Sequence, residues 1–291
     1  MYKNFVIRLG YPTQNLTLPA STNHTLRLSN LPNAAKVRGL IRENIADLAR
    51  ILLWNSERDI ALFRMGQSLI PFASHPEFPY NWAVEHGEEL REVGEIAIDH
   101  GIRLSMHPGQ FIQPASPNPA VVERSLLELR YVARAFDLMH ASDAVMVLHM
   151  GGAYGDPATT TARFIEVLSQ EPDVLRYLAL ENDERVWSVP ETSDTAAALG
   201  IPAIVDAFHH GFNTGGLTLS EALDLALPTW GNRRPKLHLS SQDPNKRPGA
   251  HAYSISTNDW KLLLEALESR EADIMIEAKS KELALANLEI R

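Results

Sequence analysis

The sequence predicts an α/β fold, a (β/α)8 TIM barrel, on three observations. Eight short β-branched or apolar runs alternate with longer helical patterns along the 291 residues. The runs are apolar over their whole length, as strands are when helices cover a parallel sheet. A closed barrel takes about 250 residues as one domain, so residues 1–291 are expected to form a single domain. Eight alternating units in this length favour closure over a doubly wound open sheet.

The expected strands, in order, are Phe5–Gly10, Ile60–Met65, Ile102–Met106, Val145–His149, Leu178–Glu181, Ile204–Asp206, Lys236–Leu239 and Ile274–Glu277. Between them the pattern predicts helices over Leu40–Leu53, Ala83–His100, Pro119–Met139, Thr159–Leu168, Thr192–Leu199, Leu219–Leu225 and Thr257–Ser269, with Lys281–Leu288 closing the chain. Asn118 before Pro119 sets a capping residue against a favoured first-turn proline. Thr192 or Ser193 is the expected cap of the helix that Gly200-Ile201-Pro202 stops. Trp260, Leu263, Leu264 and Leu267 form a stripe with helical spacing. Two turn-rich stretches, Ser68–Asn81 and His107–Asn118, read as long loops at the mouth of the barrel, where sites are usually built.

Composition narrows the class. The chain is 45% apolar, has no cysteine and carries a formal net charge of -9. Disulfides and thiolate metal sites are excluded. No apolar stretch reaches the ~18 residues of a membrane span. The opening Met1-Tyr2-Lys3-Asn4-Phe5 leaves no room for a signal peptide, and a cytoplasmic, monomeric protein is expected. The acidic balance argues against a protein coated in basic nucleic-acid-binding surface, although carboxylates that hold cations add formal charge the metal cancels. Arg233, Arg234, Lys236, Lys246 and Arg247 form a local basic run. No Gly-rich phosphate or dinucleotide fingerprint is present, so no nucleotide cofactor is expected.

The chemistry sits at strand ends. Buried strands avoid charge because an unpaired buried charge is very costly. Yet His107, His149, Glu181, Asp206 with His209, His238 and Glu277 all lie at or just past the C-terminal ends of apolar runs. His251 follows in the loop after the seventh run. One histidine at a strand end is usually satisfied packing; six such ends gathered by closure point to a metal or acid/base site. Imidazole with carboxylate suits Zn2+, Mn2+, Fe or Co2+, and Mg2+ is also compatible with the carboxylates. Four histidines, His251 and three carboxylates exceed one ion's needs, so two or three divalent ions are expected, with Glu181 bridging. Such clamps serve phosphoryl transfer, and phosphodiester hydrolysis is the expected reaction. Sugar isomerisation or epimerisation is the rival.

Lys236 shares a strand face with His238. It is expected to face the pore as a charge partner or as a carboxylated ligand. Lys279 stands in the same relation to Glu277, facing a phosphate or a site carboxylate. Gln110-Phe111, on a proline-restrained turn, is a candidate wedge for a base stack. Tyr11 and Asn15 are expected to line the same mouth.

Taken in order, Gly10-Tyr11-Pro12, Phe72-Ala73-Ser74-His75-Pro76, His107-Pro108-Gly109-Gln110, Leu180-Glu181-Asn182-Asp183, Lys236-Leu237-His238 and Glu277-Ala278-Lys279 closely resemble the UV damage endonuclease family. That family belongs with endonuclease IV and xylose isomerase. The resemblance implies an ATP-independent, Mn2+-dependent enzyme that nicks damaged double-stranded DNA immediately 5' to pyrimidine dimers and (6-4) photoproducts, leaving 3'-hydroxyl and 5'-phosphate ends. It implies metal ligands at His107, His149, Glu181, Asp206, His209, His238, His251 and Glu277, with Glu181, His238, Lys236 and Glu277 in catalysis. Lys236 would be the modified lysine. Gln110 and Phe111 would probe around the lesion, with Tyr11 and Asn15 near the damaged nucleotides. Phe111 lacks the hydroxyl found in some relatives. Arg233, Lys246, Arg247 and Lys279 complete the expected DNA contacts. An abasic-site endonuclease of the same superfamily is the alternative.

Overall fold

The computed structural model describes residues 7–288 and contains one closed barrel of eight parallel strands. In chain order these are β1 Ile7–Pro12, β2 Leu62–Arg64, β3 Arg103–Met106, β4 Val145–His149, β5 Leu178–Glu181, β6 Ala203–Asp206, β7 Lys236–Leu239 and β8 Ala272–Ile276. Each pairs with its sequence neighbours, and β1 closes the ring against β8 through Ile7↔Ala272 to Gly10↔Met275. All eight expected strands are present. Phe5 and Val6, at the expected start of the first, lie outside the described residues.

Alternation along the strands divides the molecule into two layers. Leu9, Leu104, Leu148, Leu180, Val205, Leu237 and Ile274 point outward into the large core shared with the helices. The intervening residues Val145, Val147, Ala179 and Ile204 form a separate small cluster inside the barrel, sealed by Trp230. This phase decides which polar residues enter the pore.

Helix starts follow local chemistry. Asn118 caps Pro119–Leu138 by accepting from the Ala120 amide, as expected. The cap expected at Thr192 or Ser193 is corrected: the helix spans Val189–Leu199, and Ser188 and Glu191 close a reciprocal capping box. Such a pair satisfies two free amides at once. Thr192 sits one turn inside, its hydroxyl donating back to the Ser188 carbonyl at 3.0 Å. Gly200, at φ 67°, ends this helix in the left-handed conformation. The Ala83–His100 helix is divided at His86 into Trp82–Glu85 and Gly87–Asp99, and the last expected helix is a 3-10 segment, Lys281–Asn287. Among the described residues, no helix is long and apolar enough to cross a membrane.

Candidate metal centre

Six strands deliver polar side chains to the C-terminal mouth. The core-facing partners of these residues are apolar, so each strand is anchored from outside while its last inward residue is polar. His149, Glu181 and Asp206 end β4, β5 and β6. His238 lies within β7, and His107 and Glu277 each follow the last residue of β3 and β8. His209 comes from the single turn Ala207–His210, which Asp206 caps by accepting from the Phe208 and His209 amides.

Three donor triads result: His107, His149 and Glu181; Glu181, Asp206 and His209; Glu181, His238 and Glu277. Within each, the donor atoms lie within 4.8 Å of one another. Glu181 belongs to all three. Its Oε1 is 2.7 Å from His238 Nδ1, and its Oε2 is 3.0 Å from His107 Nε2 and 3.5 Å from His149 Nε2. His251 sits at the edge of the cluster, with Nδ1 3.8 Å from Glu277 Oε2 and its ring against Phe208.

Among the described residues, four buried atoms of this cluster have no hydrogen-bond partner, Asp206 Oδ2, His149 Nδ1, His209 Nδ1 and His238 Nε2, and Glu181 Oε2 meets only the imidazoles of His107 and His149. Unsatisfied buried polar atoms are rare because each loses its hydration without return. Oxygen and imidazole donors left open in one cluster are the set that borderline divalent cations satisfy. The residues fit a multi-ion centre.

The charges adjust accordingly. Burial would raise the Glu181 carboxyl, but His238 and His149, with contacts from His107 and His238, hold it well below the usual range. Burial likewise opposes ionisation of Glu277, and Arg64 and His238 overcome it. Burial pushes Asp206 up, although His209 opposes the shift. Burial drives His107 down to about 4 despite Glu181, so it stays neutral and able to ligate.

Lys236 is fully buried in the barrel, its Nζ donating to Ser105 Oγ at 2.8 Å. Burial, with Arg64 and Arg103 nearby, lowers its amine to about 7. Arg64, which ends β2, was missed by the sequence reading. Its guanidinium pairs with Glu277. The signal was available, because Arg64 closes an apolar run as the histidines do, but arginine there also reads as a side chain reaching for solvent.

Two expected placements are corrected. Tyr11 and Asn15 do not line the mouth. Tyr11 falls on the outward phase of β1, buried beside Phe63, where its hydroxyl donates to Asn55 Oδ1 and accepts from Asn15 Nδ2, both at 2.7 Å. Arg233 precedes β7, so it lies at the opposite, N-terminal end of the barrel. There it donates to the Ala144 carbonyl at 3.2 Å and stacks near Trp230. Lys246 and Arg247 follow β7 and are exposed on the mouth side. Lys279 pairs with Asp243 at 2.9 Å rather than with a carboxylate of the cluster. Gln110 and Phe111 are exposed on the turn after His107, with Phe111 67% accessible.

A profile of the UV-endonuclease UvdE family matches residues 7–290. The chain belongs to this family. It is 32% identical over 295 residues to the UV DNA damage endonuclease of Bacillus pumilus (strain SAFR-032), covering 97% of this chain and 92% of that protein. It is 31% identical over 284 residues to that of Clostridium perfringens (strain 13 / Type A), covering 96% and 69%. The crystal structure of SacUVDE superposes with a TM-score of 0.91 at 33% identity, covering 96% of this chain and 95% of that one. Endonuclease IV from Thermus thermophilus (TM-score 0.56, 16% identity) and the E. coli 3-keto-D-glucoside 4-epimerase YcjR (0.60, 14%) share the fold alone. Family membership and the donor triads together make this a metal-dependent, hydrolytic DNA-repair endonuclease.

Proposed function

We propose that this protein, working as a single barrel domain and a monomer, nicks duplex DNA immediately 5' to pyrimidine dimers and (6-4) photoproducts without ATP. It leaves 3'-hydroxyl and 5'-phosphate ends. The observation that carries this reading is the position of the Gln110–Phe111 pair: a solvent-exposed amide and aromatic three and four residues past His107, a member of the donor set. An exposed aromatic on a short turn beside a polar centre suits insertion into a base stack. A dimer already weakens pairing and stacking, so extruding it costs less than extruding intact bases.

His107, His149, Glu181, Asp206, His209, His238, His251 and Glu277 would hold two or three Mn2+ ions. When bound, the ions supply positive charge to the scissile phosphate and ease deprotonation of the attacking water. The chain's own residues set the stage. Glu181, buried and held ionised, fixes the three donor groups in one register. The neutral tendency of the Lys236 amine in a closed pocket favours addition to CO2, giving a carbamate and a proton; we assign Lys236 this modification. Arg64 balances Glu277. Lys246, Arg247 and Lys279 lie around the mouth and supply phosphate contacts, which makes binding salt-dependent.

An end-labelled duplex with one dimer, incubated with Mn2+, Mg2+ or EDTA, tests the reading. The expected product is one nick 5' to the dimer with Mn2+ and none with EDTA. A nick on the 3' side, or full cleavage in EDTA, overturns it. Native mass spectrometry should show the mass gain of one CO2, absent in Lys236→Met.

A further inference from the structure

The turn that carries Gln110 and Phe111 is tied down more tightly than an exposed loop needs. The Gly109 amide donates to Gln67 Oε1 at 2.9 Å, and Gln67 Nε2 in turn donates to Glu128 at 2.8 Å. The Ile112 amide closes the turn on the Gly109 carbonyl at 2.9 Å. The Gln110 carbonyl accepts from Gln113 Nε2 at 2.6 Å. These bonds fix the turn locally; the other end of the Gln113 amide reaches elsewhere.

Gln113 Oε1 accepts from the Gly152 amide at 3.1 Å and from the Tyr154 hydroxyl at 2.8 Å. Gly152 follows His149 by three residues, in the loop after β4. That loop is itself anchored, because the buried Trp187 donates through Nε1 to the Gly151 carbonyl at 2.6 Å. Space here is reserved for the amide. Gly151 has φ 85°, and a Cβ on it would lie 2.1 Å from Gln113 Oε1. The Gln113 backbone is held as well, its amide donating to Ser125 Oγ at 2.8 Å. One side chain therefore bonds both the probing turn and the loop that follows a donor residue. Its two ends differ chemically: an N–H2 for the turn, an oxygen for the loop.

We propose that Gln113 is a positioning residue that sets the Gln110–Phe111 pair at a fixed place relative to His149, so that lesion probing and the metal centre share one frame. Gln113 does not touch DNA in this account; it acts through the Gln110 carbonyl. The inference rests on the reading of Gln110 and Phe111 as the lesion probe. It makes Gln113 a determinant of discrimination between damaged and intact duplex rather than of metal binding or of overall DNA affinity.

The polarity of the amide supplies the test. Gln113→Glu keeps the oxygen for Gly152 and Tyr154 but replaces the donor to Gln110 with a second acceptor. Affinities of the metal-loaded protein for a single-dimer duplex with a non-cleavable linkage 5' to the dimer, and for its intact counterpart, are measured for the wild type, Gln113→Ala, Gln113→Glu, Tyr154→Phe and Phe111→Ala. Metal content and Tm are recorded for each. Gln113→Ala and Gln113→Glu should both lower the damaged-to-intact affinity ratio by about five- to tenfold, the scale of one hydrogen bond. Intact-duplex affinity and metal content should stay at wild-type values. Tyr154→Phe should lower the ratio about twofold, and it serves as the readout if Gln113→Ala does not fold. A ratio unchanged in the Gln113 variants while Phe111→Ala lowers it overturns the positioning role alone. So does an equal loss on both duplexes, which is what general loop loosening produces. A ratio unchanged in Phe111→Ala overturns the probe reading and this inference with it.

Discussion

The two ends of the barrel handle buried charge in opposite ways. At the N-terminal end, Arg8, Arg103 and Arg234 converge on the fully buried Asp273. Arg8 pairs through two bonds of 2.7 Å, Arg103 lies at 3.0 Å and Arg234 at 3.1 Å. Arg103 also donates to the Asp143 and Arg234 carbonyls, both at 2.8 Å. The carboxylate there is saturated with protein donors. At the C-terminal end, Asp206 keeps an open oxygen, and three histidines keep open nitrogens. Both clusters are buried and charged, and β3 and β8 serve both, with Arg103 and Asp273 at one end and His107 and Glu277 at the other. The saturated one is a structural plug, and the open one is a candidate ligand set. Burial of charge alone does not mark a site; several open donor atoms of metal-binding type gathered in one cluster do.

That contrast can be broken by mutation, most severely at Glu181. Glu181→Gln removes the one carboxylate common to all three triads, and incision should fall by at least ~10^3-fold, the scale for losing a group that acts as part of a catalytic unit. The fold should be kept, as circular dichroism will report. Asp273→Ala at the other end should do the reverse. It leaves three arginines without their shared partner, and unfolding free energy should drop by about 3–5 kcal/mol. Metal content and incision per folded molecule should be retained at low temperature. Urea titration with a parallel nicking assay checks both; incision lost without loss of stability would show that the plug takes part in the chemistry.

The sequence made the open end legible and the plug illegible for a physical reason. A histidine or carboxylate closing an apolar run stands out, and barrel closure guarantees that such ends meet. Arg8, Arg103 and Asp273 also interrupt apolar runs, but their pairing joins positions 265 residues apart, and nothing local announces it. The end of the first strand misled the expectation at Tyr11: it follows the expected end at Gly10, but β1 runs on to Pro12 and puts Tyr11 on the phase that faces the helix layer. Strand direction misled it at Arg233. A basic run crossing the start of β7 is split between the two ends of the barrel, with Arg233 below, Lys236 inside, and Lys246 and Arg247 above. Arg64 was passed over because an arginine near the end of an apolar run also reads as a side chain reaching for solvent.

The split of the basic run gives a smaller test of the same contrast. Phe111→Ala should weaken binding to damaged duplex by about tenfold, since base–aromatic stacking is worth ~1–3 kcal/mol, and leave metal content unchanged. Lys246→Ala should weaken binding to damaged and intact duplex alike and reduce the salt slope by about 1. Arg233→Ala should leave both the affinity and the slope unchanged. Fluorescence anisotropy across a salt series reads all three. An Arg233 effect on the slope would place DNA at the wrong end of the barrel.

Glu181 is the one carboxylate common to all three donor triads of the proposed multi-ion centre. The most direct measurement is metal stoichiometry by plasma mass spectrometry on wild-type protein and Glu181→Gln, paired with Mn2+ add-back after chelation. The wild type should hold two or three ions and recover incision on add-back, while Glu181→Gln should lose more than one ion and recover nothing. Full ion content in Glu181→Gln, or incision by the chelated wild type, would contradict the proposed centre.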